Sequence, residues 1–372
     1  MSKVAADCTL RKASFRSGLK TITTQSQNGS QHNANAGTTQ PRRAHTRTLP
    51  TRQRRHLKNF GPRRQLKTQK CTSMNKNALG RTGLSVSQLG YGSMGLRGPR
   101  TWGVRVVNDG DAEAFLHRVL DSGINLIDTA PDYGVCEERI GRFLSARRDE
   151  FILATKCGCA FQQHEDHIEI AHEWTQDVVK RNVEASLLRL RTDYIDVLQF
   201  HGGDAESLQR AGLIDLLISL RDQGVIRWIG SSSSLPHLPD LIELGVFDTF
   251  QIPYSCLKPE HDALIHSAAA TGAGIIIRGG IAHGGPDAEI QRPALNDVWS
   301  AARLDEVLPE GMSRAELILR YTLAHPQCHT VIVGTCNPMH LVENLSAAES
   351  GPLPAEIVEE IKARVAHCQT GQ

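Results

Sequence analysis

From residue 74 onward, the sequence alternates between short apolar segments and longer amphipathic segments, and this alternation restricts the fold more than any other feature. The predicted strands are residues 86–91, 125–128, 151–155, 194–200, 226–230, 250–253, 274–277 and 330–333. The predicted helices include residues 111–122, 175–190, 208–223, 260–271 and 314–325. Strands that alternate with helices eight times predict an α/β fold, a closed parallel (β/α)8 TIM barrel ringed by helices.

Segments outside this repeat complete the predicted barrel. Residues 79–86 are predicted to form an N-terminal β-hairpin that plugs the bottom of the barrel, and residues 354–367 an extra C-terminal helix. Two segments, 158–173 and 279–312, exceed ordinary loop length and follow the C-terminal ends of strands, where barrel enzymes have their active sites. We expect them to wall a substrate pocket, with Trp174 and Trp102 as candidate aromatic walls.

The first 73 residues differ sharply from the rest. They contain sixteen Lys or Arg and one acidic residue, and they are rich in Ser, Thr, Gln and Asn. Such a segment has too little apolar surface to fold, so we predict a disordered basic extension (1–73) before a barrel domain (74–372). Three interpretations remain: sequence upstream of a true start at Met74, an organellar transit segment, or an arm that binds nucleic acid through its Arg pairs. The scarcity of aromatic residues disfavours nucleic acid.

The composition also bears on the compartment. No apolar run reaches the roughly 18 residues that a membrane span needs, so we expect no membrane partner. Seven of the nine Cys residues follow residue 73, without the regular spacing of zinc or redox motifs. We therefore predict free thiols in a reducing compartment, the cytoplasm, or an organelle if residues 1–73 are a transit segment. The sequence sets no oligomeric state.

Four chemically matched residues follow the second, third and fourth predicted strands: Asp128, Tyr133, Lys156 and His201. An ammonium beside a phenol favours the phenolate and lowers the tyrosine pKa, and a carboxylate keeps the lysine charged. An imidazole can orient a substrate oxygen. Each residue alone has an ordinary structural explanation, but their coincidence at neighbouring strand ends predicts proton donation to a carbonyl while another group delivers hydride. Lys156 also fits a Schiff-base lyase, although Asp128 stabilises the charged amine that such a lysine must avoid.

Two other motifs are poor guides to function. Residues 90–95 match G-x-G-x-x-G after a strand, but Leu-Arg-Gly-Pro follows and no helix N-terminus is predicted there to hold a pyrophosphate. His164, His167 and His172 lie in a polar stretch without the helical spacing of a zinc pair. We interpret that stretch as a solvated loop and predict no metal.

Several ordered motifs carry a resemblance to a known family. They are Leu79-Gly80-Arg81-Thr82-Gly83-Leu84-Ser85-Val86-Ser87, Asp128-Thr129-Ala130 with Tyr133-Gly134 and Glu137, residues 187–190 with Asp193-Tyr194-Ile195-Asp196-Val197, Ile226-Arg227-Trp228-Ile229-Gly230, Gln251-Ile252-Pro253-Tyr254, and Gly334 with His340-Leu341-Val342-Glu343-Asn344. Through them, residues 74–367 resemble an aldo-keto reductase. The resemblance implies a TIM barrel and a nicotinamide cofactor that lies across the strand ends.

The resemblance also implies a role for each catalytic candidate. Tyr133 would give a proton to the carbonyl, Lys156 would lower its pKa, Asp128 would hold Lys156, and His201 would orient the carbonyl. The implied cofactor contacts are Gly92, Ser93, Met94, Ser232, Ser233, Gln251, Arg278, Gly334, Thr335, Glu343 and Asn344. The implied activity is reduction of an aldehyde or ketone by NAD(P)H. The alternative is a nicotinamide-binding regulatory or redox-sensing subunit with little turnover.

Three positions depart from the family pattern. Ser233 stands where the family usually has Asn, and Arg278 where it often has Tyr. A guanidinium can stack on the nicotinamide, but it would repel the cationic oxidised ring. Basic residues that commonly meet the 2′-phosphate are absent near Cys336, Asn337 and His340. NADPH is the family's usual cofactor, and these departures leave NADH as an open alternative.

Overall fold

The computed structural model describes residues 74–99, 106–164, 167–287 and 293–370. The predictions for residues 1–73 and for Trp102 lie outside these residues. The strands, in chain order, are β1 (Lys76–Ala78), β2 (Ser85–Ser87), β3 (Leu89–Gly92), β4 (Leu126–Asp128), β5 (Ile152–Cys157), β6 (Cys159–Gln163), β7 (Ile168–His172), β8 (Ile195–His201), β9 (Ile226–Ser232), β10 (Thr249–Pro253), β11 (Gly274–Arg278) and β12 (Thr330–Val333).

The α-helices of the described residues alternate with these strands. They are α1 (Asp109–Asp121), α2 (Cys136–Leu144), α3 (Gln176–Leu190), α4 (Ala205–Arg210), α5 (Leu213–Asp222), α6 (Leu238–Glu243), α7 (Asp262–Ala270), α8 (Pro293–Ala301), α9 (Arg314–Leu323), α10 (Pro338–Glu349) and α11 (Ala355–Thr370). Side-chain caps fix several helix starts. Asn108, Thr175 and Ser313 each accept a backbone N–H from the first turn of the helix that follows. None of the described helices is long and apolar enough to cross a bilayer.

Eight parallel strands close into a barrel, which confirms the predicted fold. The order is β3, β4, β5, β8, β9, β10, β11 and β12, and β12 pairs with β3 to complete the ring. The barrel strands are buried on nearly every residue, as expected when side chains fill the interior and helices cover the outside.

The N-terminal hairpin plugs one end of the barrel. β1 and β2 pair antiparallel, and Leu79 and Val86 join barrel residues in one apolar cluster. The barrel members of this cluster are Leu126, Ala154, Val197, Ile276 and Ile332. The turn also bonds to the barrel, because Arg81 donates to the Asp248 carboxylate and to the Phe247 carbonyl. The opposite end, where the strands finish, is therefore the end open to a ligand.

The structure departs from the predicted elements in four places, the first being the N-terminal hairpin, in which β1 precedes the predicted span 79–86. The predicted strand 86–91 is two strands, because β2 ends at Ser87 and β3 begins at Leu89. The predicted helix 208–223 is two helices, because Gly212 adopts a φ of 63°, a left-handed value that interrupts helical geometry. The predicted loop 158–173 contains the antiparallel hairpin β6–β7. The segment 279–312 contains α8 and two short 3₁₀ turns among its described residues.

Candidate active site

The four predicted catalytic residues meet at the C-terminal end of three adjacent strands. Asp128 ends β4, Lys156 lies one residue before the end of β5, and His201 ends β8. Tyr133 lies in the loop between β4 and α2. Since β4, β5 and β8 are hydrogen-bonded neighbours, the barrel register itself brings these side chains together.

Lys156 and Asp128 form a buried ion pair. Lys156 Nζ donates to Asp128 Oδ2 and to the Thr129 carbonyl, both at 2.8 Å, and the two side chains are 1% and 5% exposed. Burial alone would lower the pKa of Lys156, but the charge of Asp128 and its hydrogen bond raise that pKa above its ordinary value. The neighbouring carboxylate therefore favours the charged form of this lysine.

A chain of amide and hydroxyl groups holds the Asp128 carboxylate. Its Oδ1 accepts from Gln199 Nε2 at 3.1 Å and from Gln251 Nε2 at 2.8 Å. The Gln251 Oε1 in turn accepts from the Ser232 hydroxyl at 3.0 Å. Gln199 was not among the predicted site residues, although its position gives a signal: it precedes His201 by two residues on one strand, so both side chains share a face.

Tyr133 lies against the lysine cation. Lys156 Nζ is 4.9 Å from the centroid of its ring, and the His201 ring approaches it edge-on at 6.1 Å between centroids. Burial raises the pKa of Tyr133 to about 12, while the charge of Lys156 and its hydrogen bonding to the phenol act to lower it. The lysine thus acts in the expected direction, but burial outweighs it and the phenol stays protonated at neutral pH.

His201 has neighbours that the sequence analysis did not assign to the site. Its Nδ1 lies 3.3 Å from Cys159 Sγ and 3.4 Å from Asp132 Oδ2. His172 Nε2 lies 3.8 Å from the same carboxylate oxygen. Although burial acts to raise the pKa of Asp132, hydrogen bonding to His201 and the nearby charges hold it below its ordinary value. Asp132 lies between Asp128 and Tyr133 in the sequence. The sequence did not indicate, however, that the hairpin β6–β7 would lie beside it.

One cavity of about 290 Å³ joins catalytic and cofactor candidates. The predicted residues that line it are Tyr133, His201, Ser232, Ser233, Gln251 and Arg278. It is also lined by Gly202, Ser234 and His237, which the sequence analysis missed. His201 and Ser232 are register partners across β8 and β9, and Ser232 and Gln251 across β9 and β10. The strand ends therefore present one continuous polar surface.

The remaining cofactor candidates follow the next two strands of the ring. Gly92, Ser93 and Met94 lie where β3 ends, Gly334 and Thr335 follow the adjacent β12, and Glu343 and Asn344 lie on α10. Ser93 Oγ and Asn344 Nδ2 are both buried without a hydrogen-bond partner among the described residues. Buried polar atoms are costly unless paired, so orphan groups at these positions fit contacts to a polar cofactor.

Arg278 carries a third such group. It ends β11, lines the cavity, and its Nε is buried without a partner among the described residues. Burial lowers the pKa of Arg278, and the nearby Tyr133 and Asp128 act in the opposite direction. The site therefore contains a second cation besides Lys156.

Among the described candidates, Trp174 is half-buried and the histidines of the hairpin are exposed. Trp174 stacks on His172 at 6.2 Å and meets Phe200 edge-on at 6.0 Å, so it supports the β6–β7 hairpin. His164 is exposed and pairs with Glu169 at 3.4 Å, and its ring stacks on His167. His172 is separate from those two, because it lies beside Asp132.

The chain is thus a TIM barrel with a cluster of ionisable side chains at the carboxyl ends of its strands. A family model described as the aldo/keto reductase family matches residues 88–366. The chain therefore belongs to the aldo/keto reductases, a family of oxidoreductases that use NAD(P)H.

Individual relatives agree with this assignment. An uncharacterised oxidoreductase of Bacillus subtilis is 28% identical over 314 residues, which cover 79% of this chain and 96% of the relative. L-galactose dehydrogenase of Arabidopsis thaliana is 29% identical over 320 residues, covering 78% and 94%. A solved structure of an aldo-keto reductase from Bacillus halodurans, in its holo form, is 32% identical with a TM-score of 0.68, covering 78% of this chain and 96% of that chain.

Proposed function

We propose that this chain reduces an aldehyde or ketone with NAD(P)H, with Tyr133 as proton donor. The observation that carries the proposal is the grouping of Tyr133, the Lys156–Asp128 pair and His201 around one cavity in an aldo/keto reductase barrel. Each group has a state that suits reduction. The phenol is protonated, the lysine is charged, and the imidazole lines the cavity that would admit the carbonyl.

One proton is transferred, and each of the four residues has its own role in the transfer. Tyr133 donates its hydroxyl proton to the carbonyl oxygen, and the Lys156 cation stabilises the phenolate that remains. Asp128 keeps that cation in place through the 2.8 Å bond. His201 orients the carbonyl through Nε2, because Nδ1 faces Cys159 and Asp132. When bound, the nicotinamide would supply the hydride.

The cofactor would be held along the strand ends. Ser232, Ser233 and Gln251 would meet the nicotinamide end, and Asn344 with the residues after β12 the adenosine end. The missing basic residues near Cys336 and His340 remove the usual charge-assisted bonds to a 2′-phosphate. NADPH is the cofactor expected from the family. NADH is the alternative, and the absence of these basic residues supports it.

Arg278 would set a preference between the redox forms of the cofactor. Its guanidinium lines the cavity and would repel the cationic oxidised ring, so we expect the reduced form to bind more tightly. Titration of the full chain with each form would show a lower dissociation constant for the reduced form. Arg278→Gln should reduce that difference, and equal constants in the wild type would contradict the hypothesis.

The activity test uses the full chain with NADPH and with NADH. Nicotinamide oxidation is followed by absorbance against a panel of aldehydes, ketones and sugars, the last because one relative is named L-galactose dehydrogenase. Substrate-dependent oxidation of NADPH or of NADH supports the reductase and identifies its cofactor. Cofactor binding without oxidation by any carbonyl would select the regulatory alternative. Borohydride trapping of substrate on Lys156 without nicotinamide would select the lyase, which the raised lysine pKa disfavours.

A further inference from the structure

Four side chains of metal-binding type converge beside the catalytic histidine. Asp132 comes from the loop after β4, Cys159 begins β6, His172 ends β7 and His201 ends β8. One ligand atom from each lies within 4.8 Å of all the others. The grouping joins four separate segments of the chain, so sequence spacing alone could not reveal it.

The distances fit a small tetrahedral ion. Zinc bonds of about 2.0–2.3 Å place neighbouring ligand atoms of a tetrahedron about 3.3–3.8 Å apart. Cys159 Sγ and His201 Nδ1 are separated by 3.3 Å, and His201 Nδ1 and Asp132 Oδ2 by 3.4 Å. His172 Nε2 and Asp132 Oδ2 are 3.8 Å apart. These three separations are close to the tetrahedral values, and all six lie within 4.8 Å.

The contacts within this cluster leave one of its buried polar atoms without a hydrogen bond. Asp132 is only 5% exposed, and its Oδ1 is buried without a hydrogen-bond partner among the described residues. Cys159 is also buried, at 2% exposure. Burying a carboxylate is costly unless it is paired, and a cation at Oδ2, the oxygen 3.4 Å from His201 Nδ1, would pair it.

We propose that Asp132, Cys159, His172 and His201 bind one Zn²⁺ ion next to the reductase cavity. Thiolate, carboxylate and two neutral imidazoles are preferred zinc ligands, and the two anions would neutralise the ion's charge. Binding requires the thiolate, so the Cys159 thiol proton is released to solvent. Four protein ligands leave no open position, which makes this a structural site rather than a hydrolytic one.

The ion would position His201 for the proposed reduction. Zn²⁺ on Nδ1 leaves the ring hydrogen on Nε2, the nitrogen that orients the carbonyl, and ties the β6–β7 hairpin to the active-site loop. This consequence alone rests on the proposed function. This site differs from the histidine cluster for which the sequence predicted no metal. Only His172 is common to both, and His164 and His167 take no part.

The test measures metal binding by the full chain, independently of turnover. The protein is stripped with a chelator and titrated with Zn²⁺, and with Co²⁺ as a spectroscopic substitute. We expect one equivalent to bind, with the visible bands of tetrahedral cobalt and a near-ultraviolet thiolate-to-cobalt band. Cys159→Ser should abolish the thiolate band. Cys159→Ser and His172→Ala should each weaken Zn²⁺ binding more than about 100-fold, since even an outer partner of a ligand is worth about 10–100-fold.

Matched variants separate this site from adventitious binding. His164→Ala removes an exposed histidine of the same hairpin, and Cys368→Ser a thiol on α11, and both should bind Zn²⁺ like the wild type. Circular dichroism of the metal-free variants checks that they fold. Less than one equivalent in the wild type would overturn the proposal, as would unchanged binding in a Cys159→Ser, His172→Ala double variant. The two proposals can fail separately. Turnover without Zn²⁺ binding would overturn only the zinc site, and Zn²⁺ binding without turnover would overturn only the proposed reductase activity.

Discussion

The buried cation Lys156 organises the site at the scale of single residues. It touches Asp128, and its charge reaches Tyr133. A lone ammonium at 1% exposure would be strongly destabilising, because its lost hydration is not replaced. The Asp128 carboxylate is itself held by Gln199 and Gln251. The ion pair is therefore part of the fold as well as of the proposed chemistry.

Asp128→Asn should destabilise the protein markedly. It leaves the Lys156 charge buried without a counter-ion, and breaking a buried pair in this way costs about 3–5 kcal/mol. Urea unfolding of the variant and the wild type measures the change. Adding Lys156→Met should recover part of the loss, because the uncompensated charge is removed. Glu206→Gln is the control, since its pair with Arg210 is exposed and should matter little.

The pH dependence of turnover should follow the protonation of Tyr133. Reduction needs the phenol, and a pKa of about 12 keeps it protonated throughout the neutral range. The rate of reduction should therefore show no alkaline loss from this group up to about pH 10, the ordinary pKa of tyrosine. The reverse reaction, alcohol oxidation, needs the phenolate and should accelerate as pH rises. Profiles of kcat/KM in both directions measure this, and a Tyr133-dependent loss of reduction near neutral pH would be inconsistent with it.

At the scale of elements, the hairpin β6–β7 is what the sequence analysis did not foresee. Residues 158–173 are polar and carry several histidines, so they were predicted to be a loop, and the antiparallel pairing depends on contacts distant in sequence. Cys159 N–H and carbonyl both bond to the Asn182 side chain on α3, and Trp174 supports His172. Hydrophobic periodicity in the sequence reveals strands and helices that pack one face against a core. The β6–β7 hairpin lies at the end of the barrel instead, so it has no such pattern.

Gly158→Ala should disturb that hairpin. Gly158 has a φ of 87°, and an added Cβ would overlap the Trp174 indole. Gly245→Ala is the matched control, because Gly245 has a φ of 66° with open space around it, so only the strain of about 1–2 kcal/mol applies. Urea unfolding should show a larger loss for Gly158→Ala, with an altered near-ultraviolet spectrum from Trp174. Equal losses would show that the indole moves freely.

At the scale of the whole molecule, the fold was predictable because the barrel strands are almost entirely buried and most of them are rich in apolar residues. Each predicted strand overlaps a barrel strand, and the errors occur at Gln88, at Gly212 and in the β6–β7 hairpin, which was not predicted. The strand-end residues were also readable, because parallel strands must finish at one edge. Asp132, Cys159 and Gln199 were not assigned, since their roles depend on side-chain contacts between distant segments.

Removal of residues 1–73 should leave the barrel unchanged. This segment is basic and poor in apolar residues, so it has little to contribute to a core. The full chain and a chain of residues 74–372 should unfold at the same urea concentration and turn over equally. A lower midpoint for the shorter chain would show that the extension packs on the barrel.

The most direct test of the account is Tyr133→Phe in the full chain. The change removes the proposed donor oxygen and leaves the ring against Lys156. With a substrate found in the carbonyl panel, turnover should fall about 10²–10⁴-fold, the usual contribution of a general acid. The dissociation constant for the reduced cofactor, measured by fluorescence titration, should stay the same. Turnover equal to that of the wild type would contradict the account, because Tyr133 would then not be the proton donor.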